Sequence, residues 1–146
     1  MPDNIPTTAD ATLDRAYEEA MEMLIDARDF AKEQREASSQ LESDQRLRLS
    51  QYTMQVTARL TQIMAWLMAN KAVATGELPP ETLADDTYAL PETGSIAGED
   101  AEWLEKEQAD RDIIPDRLSN LMDRSRALYQ RISRLDQQDG TPRGRR

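Results

Sequence analysis

LSQYTMQVTARLTQIMAWLMANKAVATG, residues 49–76, is the stretch whose reading decides the fold. Within it Leu49, Tyr52, Val56, Leu60, Ile63, Leu67, Asn70 and Ala74 recur at steps of three and four, which is one face of an α-helix. No Pro or Gly interrupts the chain from Leu41 to Thr75, so the helix should run about 50 Å at 1.5 Å per residue. Gly76 suits the left-handed position just past a helix end, and Pro79 and Pro80 prevent a restart nearby. The second half of the stretch breaks the one-stripe rule. From Ile63 to Ala74 it is apolar almost all the way round. Trp66 and Val73 fall about 100° to one side of the stripe and Met68 about 100° to the other. Such a helix is buried on more than one side, yet this run is shorter than the roughly 20 residues that cross a membrane. A partner surface, most simply a second copy of the chain, is the expected cover. Arg59 lies seven residues before Trp66 on the same side, where a guanidinium over an indole is either local packing or part of an interaction face. The candidate surface is Arg59, Met64, Trp66, Met68 and Val73.

Two further stripes flank this helix. Leu13, Tyr17, Ala20, Leu24, Ala27 and Ala31, widened by Met21 and Phe30, predict a first helix over about residues 10–36. Thr8 and Asp10 are its N-cap candidates. Ile114, Leu118, Leu121, Ser125, Leu128, Ile132 and Leu135 predict a third. Pro115 suits its first helical position, Arg131 and Arg134 its last turns, and Gly140 and Pro142 its end. Nothing alternates with period two, so strands are not expected. The expected fold is all-α: an antiparallel three-helix bundle with one long central helix, an acidic loop between helices 2 and 3, and disordered termini.

Charge organises the chain in the same way. Its 146 residues carry 18 Lys+Arg and 28 Asp+Glu, a net −10. Residues 1–76 hold 12 acids and 8 bases, residues 77–112 hold 12 acids and 2 bases, and residues 115–146 hold 4 acids and 8 arginines. The division is therefore a disordered N-terminus (1–9), helices 1 and 2 (10–76), an acidic Pro/Gly-containing connector (77–112), helix 3 (113–138) and a basic disordered tail (139–146). Like charges this dense mark a solvated segment with little core of its own, although a short helix from Asp100 to Gln108, centred on Trp103 and Leu104, is compatible with the pattern.

The chain has no Cys and no His. Disulfides, thiolate nucleophiles, sulfur-bound metals, imidazole metal sites and Ser-His-Asp triads are excluded together. The enzyme-like feature that remains is Glu18, Glu19 and Glu22, similar to the E-E-x-x-E that supplies carboxylates to Mg²⁺ in all-α nucleotide pyrophosphatases. The later E-x-x-D is here only Glu33 and Glu36, on the same helix, so a solvated helix face is the favoured reading. Asp85 and Asp86 lack the turn and distal ligand of a calcium loop, and Tyr17, Tyr52 and Tyr129 sit on or beside core stripes. Arginines 117, 124, 126, 131 and 134 suggest a nucleic-acid accessory role, but Asp116, Asp123 and Asp136 alternate with them, and the salt-bridged face is favoured. No catalytic, cofactor-binding or metal-binding residue is assigned. Arg143, Arg145 and Arg146 form a candidate flexible recognition tail. The acidic, polar N-terminus shows no signal peptide, and a cytoplasmic protein is expected.

Several stretches together resemble one family. They are Arg59-Leu60-Thr61-Gln62-Ile63-Met64-Ala65-Trp66-Leu67-Met68 continuing through Ala72-Val73 to Gly76-Glu77, then Pro115-Asp116-Arg117-Leu118, Ser125, Leu128-Tyr129, Arg131-Ile132 and Arg134-Leu135-Asp136. Tyr17-Glu18-Glu19-Ala20-Met21 fits the same pattern. The family is that of the regulator of CtrA degradation, RcdA, helical proteins of alphaproteobacteria. The resemblance implies a homodimeric three-helix bundle acting as an adaptor in cell-cycle proteolysis, joining the protease ClpXP and its substrates through protein–protein contacts, with no catalytic residues. The first ten residues, the 37–50 stretch and the acidic connector do not share it.

Overall fold

The computed structural model describes residues 8–37, 41–84, 90 and 99–138. Four α-helices are found among them: α1 (Thr8–Ala37), α2 (Ser43–Ala74), α3 (Ala101–Ala109) and α4 (Asp116–Gln138), with a 3-10 turn at Pro80–Ala84 and no strand among the described residues. Both ends of α2 have local causes. At its start the Gln45 side chain accepts from the Glu42 backbone N–H at 3.3 Å, half of a capping box. At its end Gly76 takes φ +83°, which lets the Glu77 N–H reach back to the Ala72 carbonyl at 2.8 Å.

α1, α2 and α4 each pack against the other two. Leu49, Tyr52, Val56, Leu60, Ile63 and Leu67 of α2 are buried as their spacing predicts, as are Ile114 and Leu118, Leu121, Ser125, Leu128 and Ile132 of α4. On α1 the buried face is rotated from the expected stripe. It runs Ala16, Ala20, Met23, Ala27 and Phe30, with Leu13, Tyr17 and Leu24 half-buried beside it and Met21 exposed. α1 fits between two helices, so its face centres on the alanines that admit both neighbours closely. Residues 8 and 9, expected to be disordered, open this helix, and Thr8 and Asp10 lie within it, not ahead of it. Pro115 stands one residue earlier than expected, at the N-cap, where its carbonyl accepts from the Ser119 N–H at 2.9 Å.

Cross-helix contacts fix the directions. Lys71 near the end of α2 meets Asp14 near the start of α1 at 2.6 Å. Arg117 at the start of α4 holds Asp26 and Glu33 of α1 at 2.7 and 2.6 Å, and Arg131 near the end of α4 pairs with Glu19. α1 therefore runs opposite to both. Between α2 and α4, Arg59 bonds to Ser125 and Trp66 bonds to Asp136, so these two helices run parallel. This corrects the expected antiparallel succession. α4 therefore does not follow α2 as the second arm of a hairpin: Asp110 stands beside Arg48 near the start of α2, a helix about 48 Å long at 1.5 Å per residue.

The expectation that residues 77–112 have little core of their own is corrected too. Leu90 is buried in the core cluster, and α3 forms where a short helix was compatible with the sequence, capped by Asp100 accepting from the Trp103 N–H at 2.9 Å. The Trp103 ring meets the Tyr52 ring edge-on at a centroid distance of 5.4 Å. Asp110 then accepts from the Tyr52 hydroxyl at 2.5 Å and pairs with Arg48 at 3.2 Å. Contacts to residues 59, 52 and 48 in turn, made from residues 99, 103 and 110, trace α3 as a strap descending beside α2. Asp85, Asp86 and the tail arginines Arg143, Arg145 and Arg146 lie outside the described residues.

Candidate functional site

Two features stand out from the packed body: a buried charged cluster under the strap and an uncharged outer face on α2. The cluster has two guanidiniums and two carboxylates. Arg59 of α2 is 1% exposed; its Nη1 donates to Ser125 Oγ at 2.7 Å and its Nη2 donates to Glu99. Arg126 of α4 donates to Glu99 at 3.0 Å and to Glu107 at 2.7 Å. The Ser125 hydroxyl donates in turn to the Met122 carbonyl at 3.1 Å. Burial pulls the Arg59 guanidinium below its ordinary value, against the opposing field of Glu99. Hydrogen bonding to Glu107 pushes Arg126 up, with burial opposing and Glu99 assisting. The four formal charges cancel, which is what permits them to be buried.

Polar atoms farther along the same side of α4 find no partner among the described residues. Tyr129 Oη and Ser133 Oγ are buried without a hydrogen bond, and on α2 so are Arg59 Nε and Gln62 Oε1. Burial, with weaker help from Asp136, pushes the Tyr129 hydroxyl up to about 12 although Arg59 opposes the shift. An orphaned buried hydroxyl contributes desolvation cost and no bond energy.

The five residues expected to share one surface are divided by the structure. Arg59 and Trp66 are buried inside the chain: Arg59 in the cluster, and Trp66 with its Nε1 donating to Asp136 at 3.1 Å. A carboxylate of another segment takes each of them, Glu99 for Arg59 and half-buried Asp136 for Trp66, so the Arg59–Trp66 face does not form. Met64 and Val73 are half-buried and Met68 is exposed. The larger outward surface was missed. Leu47, Met54 and Met68 are the most exposed large apolar residues of α2, at 60, 69 and 57%. Exposed Ala58 and Thr61 and half-buried Ala65 lie on the same side between the two methionines. Thr53, Thr57 and Thr61 each donate their hydroxyl to a carbonyl one turn back. Arg59 is the one charged residue from Leu49 to Asn70, and it points inward. The signal was in the sequence: an uncharged run far longer than the core stripe needs.

The Glu18–Glu19–Glu22 cluster lines a groove of about 650 Å³ between α1 and α4 together with Arg15, Arg131 and Arg134. Glu19 is paired with Arg131. Among the described residues no group of acidic side chains is gathered to hold a metal ion, and no helix is long and apolar enough to cross a membrane.

These features define an all-helical protein that uses its buried ionised groups to join helices and leaves an uncharged face outward. The chain belongs to DUF1465, a family described as protein of unknown function, whose pattern matches residues 6–144. It is similar to the crystal structure of RcdA from Caulobacter crescentus CB15, with 29% sequence identity, a TM-score of 0.63, and coverage of 86% of this chain and 88% of that one. No match is found among curated proteins.

Proposed function

We propose that this chain is a non-enzymatic adaptor in regulated proteolysis, built on a three-helix core of α1, α2 and α4, that works in the cytoplasm as a homodimer. The observation that carries the reading is the likeness to RcdA over nearly the whole of both chains, combined with charged groups engaged in helix-to-helix pairs. The family that the sequence resembles joins ClpXP to its substrates, and that role is the one assigned here. The outward face of α2, with Met54 and Met68 and the neighbouring Met64 and Val73, is the contact surface. Apolar residues with no interleaved charge suit the centre of an interface. Arg143, Arg145 and Arg146 serve as a recognition tail.

The test is reconstitution. Purified chain added to ClpXP should accelerate degradation of at least one cell-cycle protein drawn from the same cells. Charge introduced on the α2 face, Met54→Glu with Met68→Glu, should remove that acceleration and leave helicity intact. Degradation rates unchanged by the chain across the proteins of such an extract would refute the adaptor role.

A further inference from the structure

Glu99, Trp103 and Glu107 are spaced four residues apart; Trp103 and Glu107 share one side of α3, and Glu99 stands just ahead of the extended N-cap Asp100, so the strap presents acid, aromatic and acid to the same neighbours. What they meet is a receptor made by other helices. Arg59 and Arg126 clamp the carboxylates, and Trp103 lies against Tyr52 with Val56 and Met122 lining the same recess. The other side of α3 makes no such use of itself: Leu104 is 49% exposed and Glu102, Glu105 and Lys106 are exposed as well. An amphipathic helix laid in a groove through anchors at one-turn spacing is a recurrent mode of peptide recognition.

We infer that the α2/α4 groove is a docking site for a short partner helix bearing an acid–x3–aromatic–x3–acid pattern, with α3 as the resident occupant that such a partner displaces. The charge balance selects the partner. Lifting the strap takes Glu99 and Glu107 from Arg59 and Arg126, and an uncharged helix laid in its place would cover both guanidiniums without counter-charge. Carboxylates eight residues apart restore the balance, and an aromatic ring midway between them refills the space against Tyr52. The groove is thus selective for the chemistry of the strap itself, whether or not the chain serves a protease.

The probe is a fluorescently labelled peptide of residues 99–109, titrated into full-length chain. In a chain weakened at the strap by Trp103→Ala and Glu107→Gln, the peptide should bind at least about tenfold more tightly than to the unaltered chain. A peptide carrying Glu99→Gln and Glu107→Gln should lose that gain. Absence of binding up to roughly 1 mM by a weakened chain that retains its helicity overturns the inference. So does equal affinity for the neutral peptide, or pairing of weakened chains with each other and not with the peptide. Hydrogen exchange on the unaltered chain decides the matter even if the weakened chain fails to fold. Amides of residues 101–109 should exchange about tenfold or more faster than the buried turns of α2 and α4. Exchange at the same rate as those turns would mean that the groove never opens, and the inference falls.

Discussion

Replacing Arg126 by alanine tests how the strap is held. Arg126 donates to both oxygens of Glu107, whose side chain is 6% exposed, and also to Glu99. Removing one partner of a fully buried pair costs about 3–5 kcal/mol, because the other charge is left without compensation. Here Arg126 itself is 22% exposed, and Glu107 rides on a short helix that can turn it toward water. Both facts reduce the penalty, to about 2 kcal/mol, which for a chain of this length lowers Tm by roughly 4–8 °C. The companion variant Arg126→Met with Glu107→Gln removes one charge of each sign and leaves Arg59 paired with Glu99. It should recover most of the loss, since a buried ion pair and a neutral replacement of similar volume are often close in energy. Urea unfolding followed by far-ultraviolet circular dichroism, applied to Arg126→Met, to Glu107→Gln and to their double, gives the coupling energy. The reasoning is refuted if Arg126→Ala stays within about 0.5 kcal/mol of the parent, the range of an ordinary surface substitution, or if the double variant is as unstable as the single.

Other predictions concern separate parts of the fold. With no His in the chain, no side chain has its ordinary pKa between about pH 6 and 8, and stability should be nearly flat there. Tyr129 keeps its proton to about pH 12 when folded but loses it near 10 when unfolded. The unfolded state therefore binds fewer protons in that window, and stability should fall as pH rises through it. Tyr129→Phe should make the fall in urea midpoint shallower and, because the hydroxyl has no partner, should cost less than about 0.5 kcal/mol at pH 7. Gly76→Ala meets no atom within 4 Å, so its cost should come from the left-handed backbone alone, about 1 kcal/mol, read as a lowered urea midpoint. Met54→Lys with Met68→Lys should leave helicity in place, since both side chains are exposed in the single chain, while sedimentation shows loss of the proposed dimer.

The long helices were legible because each buries a regular stripe, and regular stripes are what the helical period exposes in a sequence. The expected stripes of α2 and α4 are buried except at Ala74, which is exposed, and Leu135, which is half-buried, while Arg59, Trp66, Met122 and Tyr129 are buried outside them. α1 was read in extent but not in rotation, because alanines at positions 16, 20, 27 and 31 give little to tell one face from its neighbour. The site was much less legible. Arg59 looked like a surface residue because a charge on a helix usually is one. Its partner Glu99 lies 40 positions away in a segment that reads as solvated acid. Pairing between such distant residues is set by topology, and the direction of α4 relative to α2 is not written in any local spacing. Trp66 was misplaced for the same reason, since Asp136, which receives its N–H, stands 70 positions on.

The parallel course of α2 and α4 also shapes how the chain reaches this structure. α1 and α2 are joined by five residues, 38–42, whereas α4 must close a connection of 41 residues, 75–115. The difference in loop-closure entropy is about 2 kcal/mol, so the α1–α2 pair should assemble first, leaving the groove that α4 later fills. The strap comes last, because Glu99 and Glu107 need Arg126 of α4 already in place beside Arg59. It is therefore the last element to close and the first that can lift. Arg59, waiting on the first pair of helices, becomes a tally of the fold's completion: its hydrogen bonds to the strap and to α4 close only when both have come home.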